Sequence, residues 1–222
     1  MQIQIQSNLK QPLTIWVLNL ERSEQRRYFM KEQLRKFNLR FEIIRAVDGR
    51  NIPERDLKCY SRQEAVKCAG RELSPGEVAC ALSHAKMWER LVAKNLNEVL
   101  VLEDDVVVGE MFMRILDLRH KFPAGWELVN FMTSAKQIPF GAPIYDIYRA
   151  CRFKGYANGA CAYLLNRAGA ERLLSHVYPI RWAADGMTGR TYITGLVSYG
   201  IDPRVVALGS FESDIWKGQD GF

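Results

Sequence analysis

Hydrophobic positions along the chain alternate between short unbroken runs and stripes at helical spacing, an order that predicts strands and helices in turn. Residues 13–20 (LTIWVLNL) form a nearly continuous apolar run, the pattern of a strand buried on both faces of a parallel sheet. Residues 24–37 follow, with Tyr28, Met30, Leu34 and Phe37 recurring at helical spacing among charged neighbours, and Ser23 stands where a helix cap belongs. A second apolar run, residues 41–47, ends at the turn pair Asp48-Gly49. Strand, helix and strand make a βαβ unit. Such units cross over right-handedly and bind ligands at the carboxyl ends of their strands, which puts Asn19, Leu20, Arg22, Asp48 and Gly49 on the binding edge.

Residues 51–72 are polar and read as a connecting excursion with one or two short helices. Ser74-Pro75-Gly76-Glu77 is a helix start: Ser74 as cap, Pro75 at the first position and Glu77 as capping-box partner. Val78, Ala81, Leu82, Ala85, Trp88 and Val92 then supply a buried stripe. Residues 98–102 form a strand that runs straight into Glu103-Asp104-Asp105, with three valines after it. Residues 126–132 read as a further strand, 145–151 and 156–165 as a strand pair, 167–177 as a helix, and 202–222 as loop-rich. With 222 residues and no repeat, low-complexity tract or linker, the pattern predicts a single α/β domain over 1–222, with halves of about 12–108 and about 109–222.

Composition narrows the function. An apolar fraction of 48% with 25% charged residues excludes a disordered chain. Five cysteines without a CxxC pair suggest neither a disulfide framework nor a zinc finger, and point to a reduced setting. No run approaches the roughly 20 apolar residues of a membrane span, and the N-terminus lacks a secretory pattern, so a cytoplasmic location is expected. The net charge of +6 favours anionic partners. The positive residues are dispersed rather than gathered in a stripe, which argues against nucleic acid. Neither GxGxxG nor GxxxxGK[ST] follows the first strand, so a dinucleotide dehydrogenase and a P-loop enzyme are both unsupported.

The chemistry-bearing residues are few. Three consecutive carboxylates ending a buried strand repel one another in a low dielectric, and a divalent ion such as Mn²⁺ or Mg²⁺ completed by diphosphate oxygens relieves that repulsion. Strand alternation sends Glu103 and Asp105 to one side and Asp104 to the other. The same triplet also suits an acidic surface turn. Asp185, in the loop expected at 181–187, is placed to remove the proton of an acceptor hydroxyl, or simply to form a turn with Gly186. Arg22 and Arg26 could grip a diphosphate, whereas Arg27 reads as solvated charge. His84 reads first as a buried, hydrogen-bonded structural residue. Gly159 suits close approach by a sugar or by another backbone.

Taken in order, VLNLER at 17–22 with Arg26, AVDG at 46–49, LSPGE at 73–77, LSH at 82–84, LVLEDDV at 100–106, GACAY at 159–163 and Asp185 resemble glycosyltransferase family 25, the lipopolysaccharide and lipooligosaccharide transferases related to the collagen galactosyltransferase domain. The resemblance implies a GT-A type fold, Rossmann-like, with a mixed, mostly parallel sheet flanked by helices. It also implies an inverting transfer, commonly of galactose from a UDP-sugar donor to a glycolipid or oligosaccharide acceptor, with Mn²⁺ (or Mg²⁺) held by the acidic motif. On that basis Glu103 and Asp105 are metal ligands and catalytic with Asp185. Asn19, Leu20, Arg22, Arg26, Asp48, Gly49, Ser83, His84, Asp104 and Gly159 are substrate- or nucleotide-binding, and ESDI at 212–215 resembles the family's near-terminal segment. Peripheral contact with the inner face of the membrane fits such an acceptor. The alternatives are a metal-dependent nucleotidyl or phosphoryl transferase and a non-enzymatic anion-binding module.

Overall fold

Residues Thr14–Asn19 form the first strand, β1, and all but the first are buried, as a strand with neighbours on both edges and cover on both faces requires. A computed structural model describes residue 9, residues 12–132, residue 138 and residues 140–212. After β1 come α1 (Glu24–Lys36), β2 (Glu42–Arg45), α2 (Glu54–Leu57), α3 (Arg62–Ala69), α4 (Pro75–Ala93), β3 (Glu98–Glu103) and β4 (Val106–Val108). The chain continues through α5 (Glu110–Asp117), β5 (Leu128–Asn130), β6 (Ala142–Tyr145), β7 (Tyr148–Cys151), β8 (Ala162–Asn166), α6 (Arg167–Val177), α7 (Ala184–Gly189), α8 (Thr191–Thr194), β9 (Ser198–Asp202) and β10 (Val206–Leu208).

Eight strands lie in one sheet of order β2-β1-β3-β8-β5-β9-β7-β6. The α/β class with a mixed sheet flanked by helices is therefore present, Rossmann-like in its first unit. Parallel pairing is confined to β2-β1-β3 and β5-β9; β8 runs antiparallel to both β3 and β5, and β7 to both β9 and β6. β4 and β10 form a separate antiparallel ribbon. The expected pairing of 145–151 with 156–165 is not formed. The apolar β8 is buried through Leu165 and needs the interior slot between β3 and β5, whereas the half-exposed β7 suits the margin.

Strand alternation builds a core on each face of the sheet. Trp16, Leu18, Val99 and Val101 face α4 and α6, while Ile15, Val17, Leu100 and Leu102 face α1 and α5. The α4 stripe packs as its spacing predicts, and its capping box is complete: Glu77 N–H donates to Ser74 Oγ and Ser74 N–H to Glu77 Oε2. Two helix details differ from expectation. Ser23 stands at the N-cap of α1 but makes no side-chain cap bond, because its backbone closes a turn on the Leu20 carbonyl, and Tyr28 lies outside the buried stripe, 66% exposed. The pattern places no element between Gly109 and Pro123; α5 forms there with Phe112, Met113, Ile115 and Leu116 buried. The excursion at 51–72 is α2 and α3, the latter capped by Ser61 and closed by Gly70 at φ 76°. β10 lies within the segment expected to be loop. All five cysteines are free thiols.

Glu127, just before β5, is a junction of the second half of the sheet. Its buried carboxylate accepts both arms of the Arg172 fork from α6 and the Val197 N–H at 2.8 Å. Burial alone pushes this carboxyl up, but the fork and the amide outweigh it and hold it below the ordinary glutamate value. The stability it contributes is thus present above pH 4.5 and lost as pH falls through the lowered value, because the unfolded state then binds the proton more readily. Urea unfolding across the acidic range should show a decline that Glu127→Gln flattens, with lower stability for the variant at neutral pH. In the core, Leu100→Ala should cost about 2–5 kcal/mol, whereas Leu208→Ala, at an exposed position, should stay within about 0.5 kcal/mol.

Candidate active site

The strands β2 and β3 flank β1 on opposite sides while α1 and α4 cover opposite faces, which makes the carboxyl end of β1 a topological switch point. Asn19, the last residue of β1, donates from Nδ2 to Asp104 Oδ2 at 2.6 Å and to the Ser23 carbonyl at 3.1 Å. Its Oδ1 accepts from Arg27 Nη1 at 3.0 Å, so Arg27 is a working part of the site rather than solvated charge. Arg26 Nη1 donates to Asp104 Oδ1 at 2.8 Å and lies 3.5 Å from Asp105 Oδ2, while Nη2 donates to the Glu212 carbonyl and the guanidinium stands 5.5 Å from the Phe211 ring. Burial pushes the Asp104 carboxyl up against the lowering pull of Asn19 and Arg26. The middle carboxylate is thereby locked in place.

Glu103 closes β3, its N–H donating to the Cys161 carbonyl at 2.7 Å, and its Oε1 lies 3.2 Å from His84 Nε2. Strand alternation stops there, because Asp104 and Asp105 are turn residues leading into β4. The division it predicted survives for another reason. Asp104 is bound by Asn19 and Arg26, while Glu103 and Asp105 share the wall of a separate cavity. Burial, reinforced by the charge of Glu103 and opposed by Arg26, pushes the Asp105 carboxyl up to about 6. Its Oδ1 is buried and, among the described residues, has no hydrogen-bond partner. The site is thus short of positive charge beside an orphaned oxygen, and the Glu103–Asp105 pair suits a hard divalent cation with oxygen ligands.

Two cavities meet at this pair. The larger, about 990 Å³, has Leu20, Arg22, Arg26, Asp48, Gly49 and Ser83 along its wall and the acidic triplet at one end. The second, about 500 Å³, is walled by Asp185, Gly159, Tyr156, Trp182 and Arg190 together with Glu103 and Asp105. Several expected ligand contacts are replaced by structural ones. Asn19 lines neither cavity and acts through Asp104. The Ser83 hydroxyl donates to the Ala79 carbonyl at 2.7 Å and accepts the Val47 N–H at 2.8 Å, pinning the exit of β2 to α4. His84 lines neither cavity: it is fully buried, with Nδ1 2.8 Å from the Tyr163 hydroxyl, which accepts from Trp88 Nε1 at 3.0 Å. α4 turns it inward, so its Nε2 faces the protein's own Glu103.

Arg22 donates to Asp48, whose other oxygen accepts the Arg50 N–H at 3.0 Å; these contacts outweigh burial and hold its carboxyl below the ordinary value. Gly159, at φ 92° in the left-handed region that favours glycine, accepts Asn130 Nδ2 on its carbonyl at 2.6 Å and lies on the second cavity, away from Arg22 and Arg26. Asp185 lies in the first turn of α7 rather than in a loop, and burial together with its nearby charge pushes the Tyr156 phenol up. Arg190 stacks over Tyr156 at 4.9 Å and Trp182 at 5.4 Å. These three residues carry no spacing signal; Trp182 and Arg190 leave only an aromatic and a basic residue on either side of Asp185, and Tyr156 stands apart from that segment. Residues 213–215 of the near-terminal segment lie outside the described residues.

The floor of the larger cavity depends on two glycines. A Cβ on Gly49 would lie 2.9 Å from Gly76 Cα and from its nitrogen, so the turn after β2 touches the first turn of α4 backbone to backbone. Gly49→Ala should lower unfolding stability by about 1–3 kcal/mol. Gly109→Ala, where a Cβ meets open space and the backbone is extended, should be near neutral in the same denaturation series.

Residues 13–188 match the family described as "Glycosyltransferase family 25 (LPS biosynthesis protein)". The chain is 32% identical over 168 residues to a "Glycosyltransferase 25 family member" of Aedes aegypti, covering 72% of this chain and 27% of that protein. It is 33% identical over 174 residues to a "Probable inactive glycosyltransferase 25 family member 3" of Rattus norvegicus, covering 72% and 29%. It is 26% identical over 168 residues to human "Procollagen galactosyltransferase 2", covering 72% and 27%. The chain therefore spans less than a third of the length of these curated relatives. A match from β1 into α7 includes the acidic triplet and Asp185, and on it the chain belongs to glycosyltransferase family 25.

Proposed function

We propose that this chain is an inverting, metal-dependent glycosyltransferase that moves a hexose, galactose first among candidates, from a UDP-sugar to a lipopolysaccharide, lipooligosaccharide or other surface-glycan acceptor. It would act in the cytoplasm, in peripheral contact with the inner face of the membrane. The observation that carries the reading is the meeting of two cavities at Glu103 and Asp105, with a carboxylate, Asp185, across the second one. Membership of the family supports sugar transfer, the galactosyltransferase name of a relative supports galactose, and the family description supports the acceptor class.

The larger cavity suits the donor: Leu18, Leu20 and Leu73 offer apolar wall for a base, and Arg22 and Arg26 offer forks for a diphosphate. Glu103 and Asp105 would hold the Mn²⁺ or Mg²⁺. When bound, that ion supplies Lewis-acid stabilisation of the charge gathering on the diphosphate. Asp104 keeps Arg26 at the donor and fixes the turn. In the second cavity Asp185 takes the proton of the acceptor hydroxyl; the hydroxyl oxygen bonds to the anomeric carbon from the face opposite the diphosphate, whose C–O bond breaks with both electrons. Tyr156 shares that cavity wall with Asp185, and Trp182 with Arg190 gives the acceptor sugar an apolar wall with a charged edge.

The test is a panel of UDP-sugars with Mn²⁺ or a chelator, reading donor binding and release of UDP. Metal-dependent binding and hydrolysis should appear with at least one sugar, and failure with every sugar would end the enzyme reading. Asp185→Asn should lower turnover by about 10²–10⁴-fold while donor affinity holds; a matching loss of affinity would make it a binding residue instead. The combined Glu103→Gln and Asp105→Asn variant should lose the metal dependence of donor binding. Donor binding without turnover in the unaltered chain would favour a silent member, as the name of the rat relative describes.

A further inference from the structure

Two side chains beside Glu103, Cys80 and His84, are not used by the transfer chemistry. Cys80 Sγ, a ring nitrogen of His84 and a carboxylate oxygen of Glu103 all lie within 4.8 Å of one another, in the grouping of possible metal ligands found among the described residues. We propose that Cys80, His84 and Glu103 form a site for a softer divalent ion of the Zn²⁺ class, which competes with the hard-cation pair by taking Glu103 away from it.

Four features argue for this. Cys80 and His84 are four residues apart on α4 and so share one face, opposite the end of β3. The 3.2 Å between His84 Nε2 and Glu103 Oε1 is close to the edge of about 3.3 Å that two light ligands span on a tetrahedral Zn²⁺. The Tyr163 hydroxyl sits on Nδ1, the outer partner that a ligating histidine needs, and is itself held by Trp88. Cys80 and Glu103 also face both cavities, which gives an ion a way in and leaves room for a water as fourth ligand. Thiolate and imidazole select Zn²⁺ over Mg²⁺ or Mn²⁺, whereas Glu103 with Asp105 offers oxygen alone. On ligation the thiol releases its proton to solvent, and the imidazole proton resides on Nδ1, donated to Tyr163, leaving the Nε2 lone pair for the ion. Binding stands on this geometry alone; its inhibitory consequence rests on the transferase reading of Glu103.

The experiment is a Co²⁺ titration of the reduced full chain, followed in the visible and near ultraviolet, with Zn²⁺ as competitor. One Co²⁺ per chain should bind with a thiolate-to-cobalt charge-transfer band that Zn²⁺ abolishes. Cys80→Ser and Cys80→Ala should lose the band, Cys161→Ser should keep it, and Tyr163→Phe should weaken binding by about 10–100-fold. No such band in the unaltered chain, or an unchanged band in a folded Cys80 variant, overturns the site. Bound Co²⁺ should also protect Cys80 from alkylation, read by mass spectrometry in the unaltered chain, so the result does not hang on a variant folding; an equally reactive Cys80 overturns it. Zn²⁺ should suppress Mn²⁺-supported UDP release in the unaltered chain but not in Cys80→Ser, each relative to its own Zn²⁺-free rate, and equal suppression overturns the competition. A cobalt band in the titrated chain, together with no turnover on any UDP-sugar in the cobalt-free, Mn²⁺-supplied chain, would sink the transferase reading and leave the metal site standing.

Discussion

Asp104 is a carboxylate buried between two others at the edge of the sheet, and the architecture around the site follows from how that charge is met. A buried anion without partners is costly enough that it protonates or unfolds its surroundings. Here Asn19 from the end of β1 and Arg26 from α1 both reach it, and Arg27 in turn holds Asn19. These bonds tie the first strand, the first helix and the end of β3 into one unit. They also bring in Phe211 and Glu212, which close over Arg26 from the far end of the described chain. The strand-end carboxylate thus acts as a structural anchor from which its two neighbours are displayed.

Those neighbours are left under-compensated. Glu103 has a histidine at hydrogen-bond distance, whereas Asp105 lies 3.5 Å from the Arg26 Nη1 that already donates to Asp104 and, among the described residues, has one buried oxygen with no hydrogen-bond partner. A fully satisfied cluster would be more stable and chemically inert; under the proposed function, this deficit is what a bound cation would meet. His84, Tyr163 and Trp88 form a hydrogen-bonded line behind Glu103, inside the core that α4 packs against the sheet. That line is rigid because its aromatic members are fully buried, so Glu103 meets the cavities from a fixed backing.

The mixed sheet matters to this arrangement. Insertion of β8 between β3 and β5 places Tyr163 beside Val101 and carries the Gly159–Cys161 loop past Glu103. The second cavity therefore draws on residues far along the chain, such as Tyr156, Asp185 and Leu208, and it shares with the first Arg71, Leu73 and Cys80 as well as Glu103 and Asp105 at the end of β3. A donor and an acceptor arriving from different halves of the molecule would find each other at that strand end.

Much of the frame was legible in the sequence. The run at 13–20, the Ser74 capping box, the α4 stripe and the strand leading into the triplet all formed as their patterns predict, because each depends on neighbours within a few residues. The acidic triplet, Arg26 and Asp185 were identifiable as chemistry for the same local reason: residue type at a strand end or in a short segment. Tertiary structure decided the rest. Nothing in the spacing of Asn19 and Asp104 says that they share a hydrogen bond across 85 positions, that His84 turns onto Glu103, or that Cys80 joins them. The strand pair foreseen at 145–151 and 156–165 gave way to other partners, since pairing is set by how much surface each strand must bury in the whole sheet. The sequence by itself determined which residues bear charge and which elements carry them; long-range packing alone decided which charges meet, because contact between distant segments is encoded by complementary burial rather than by local pattern.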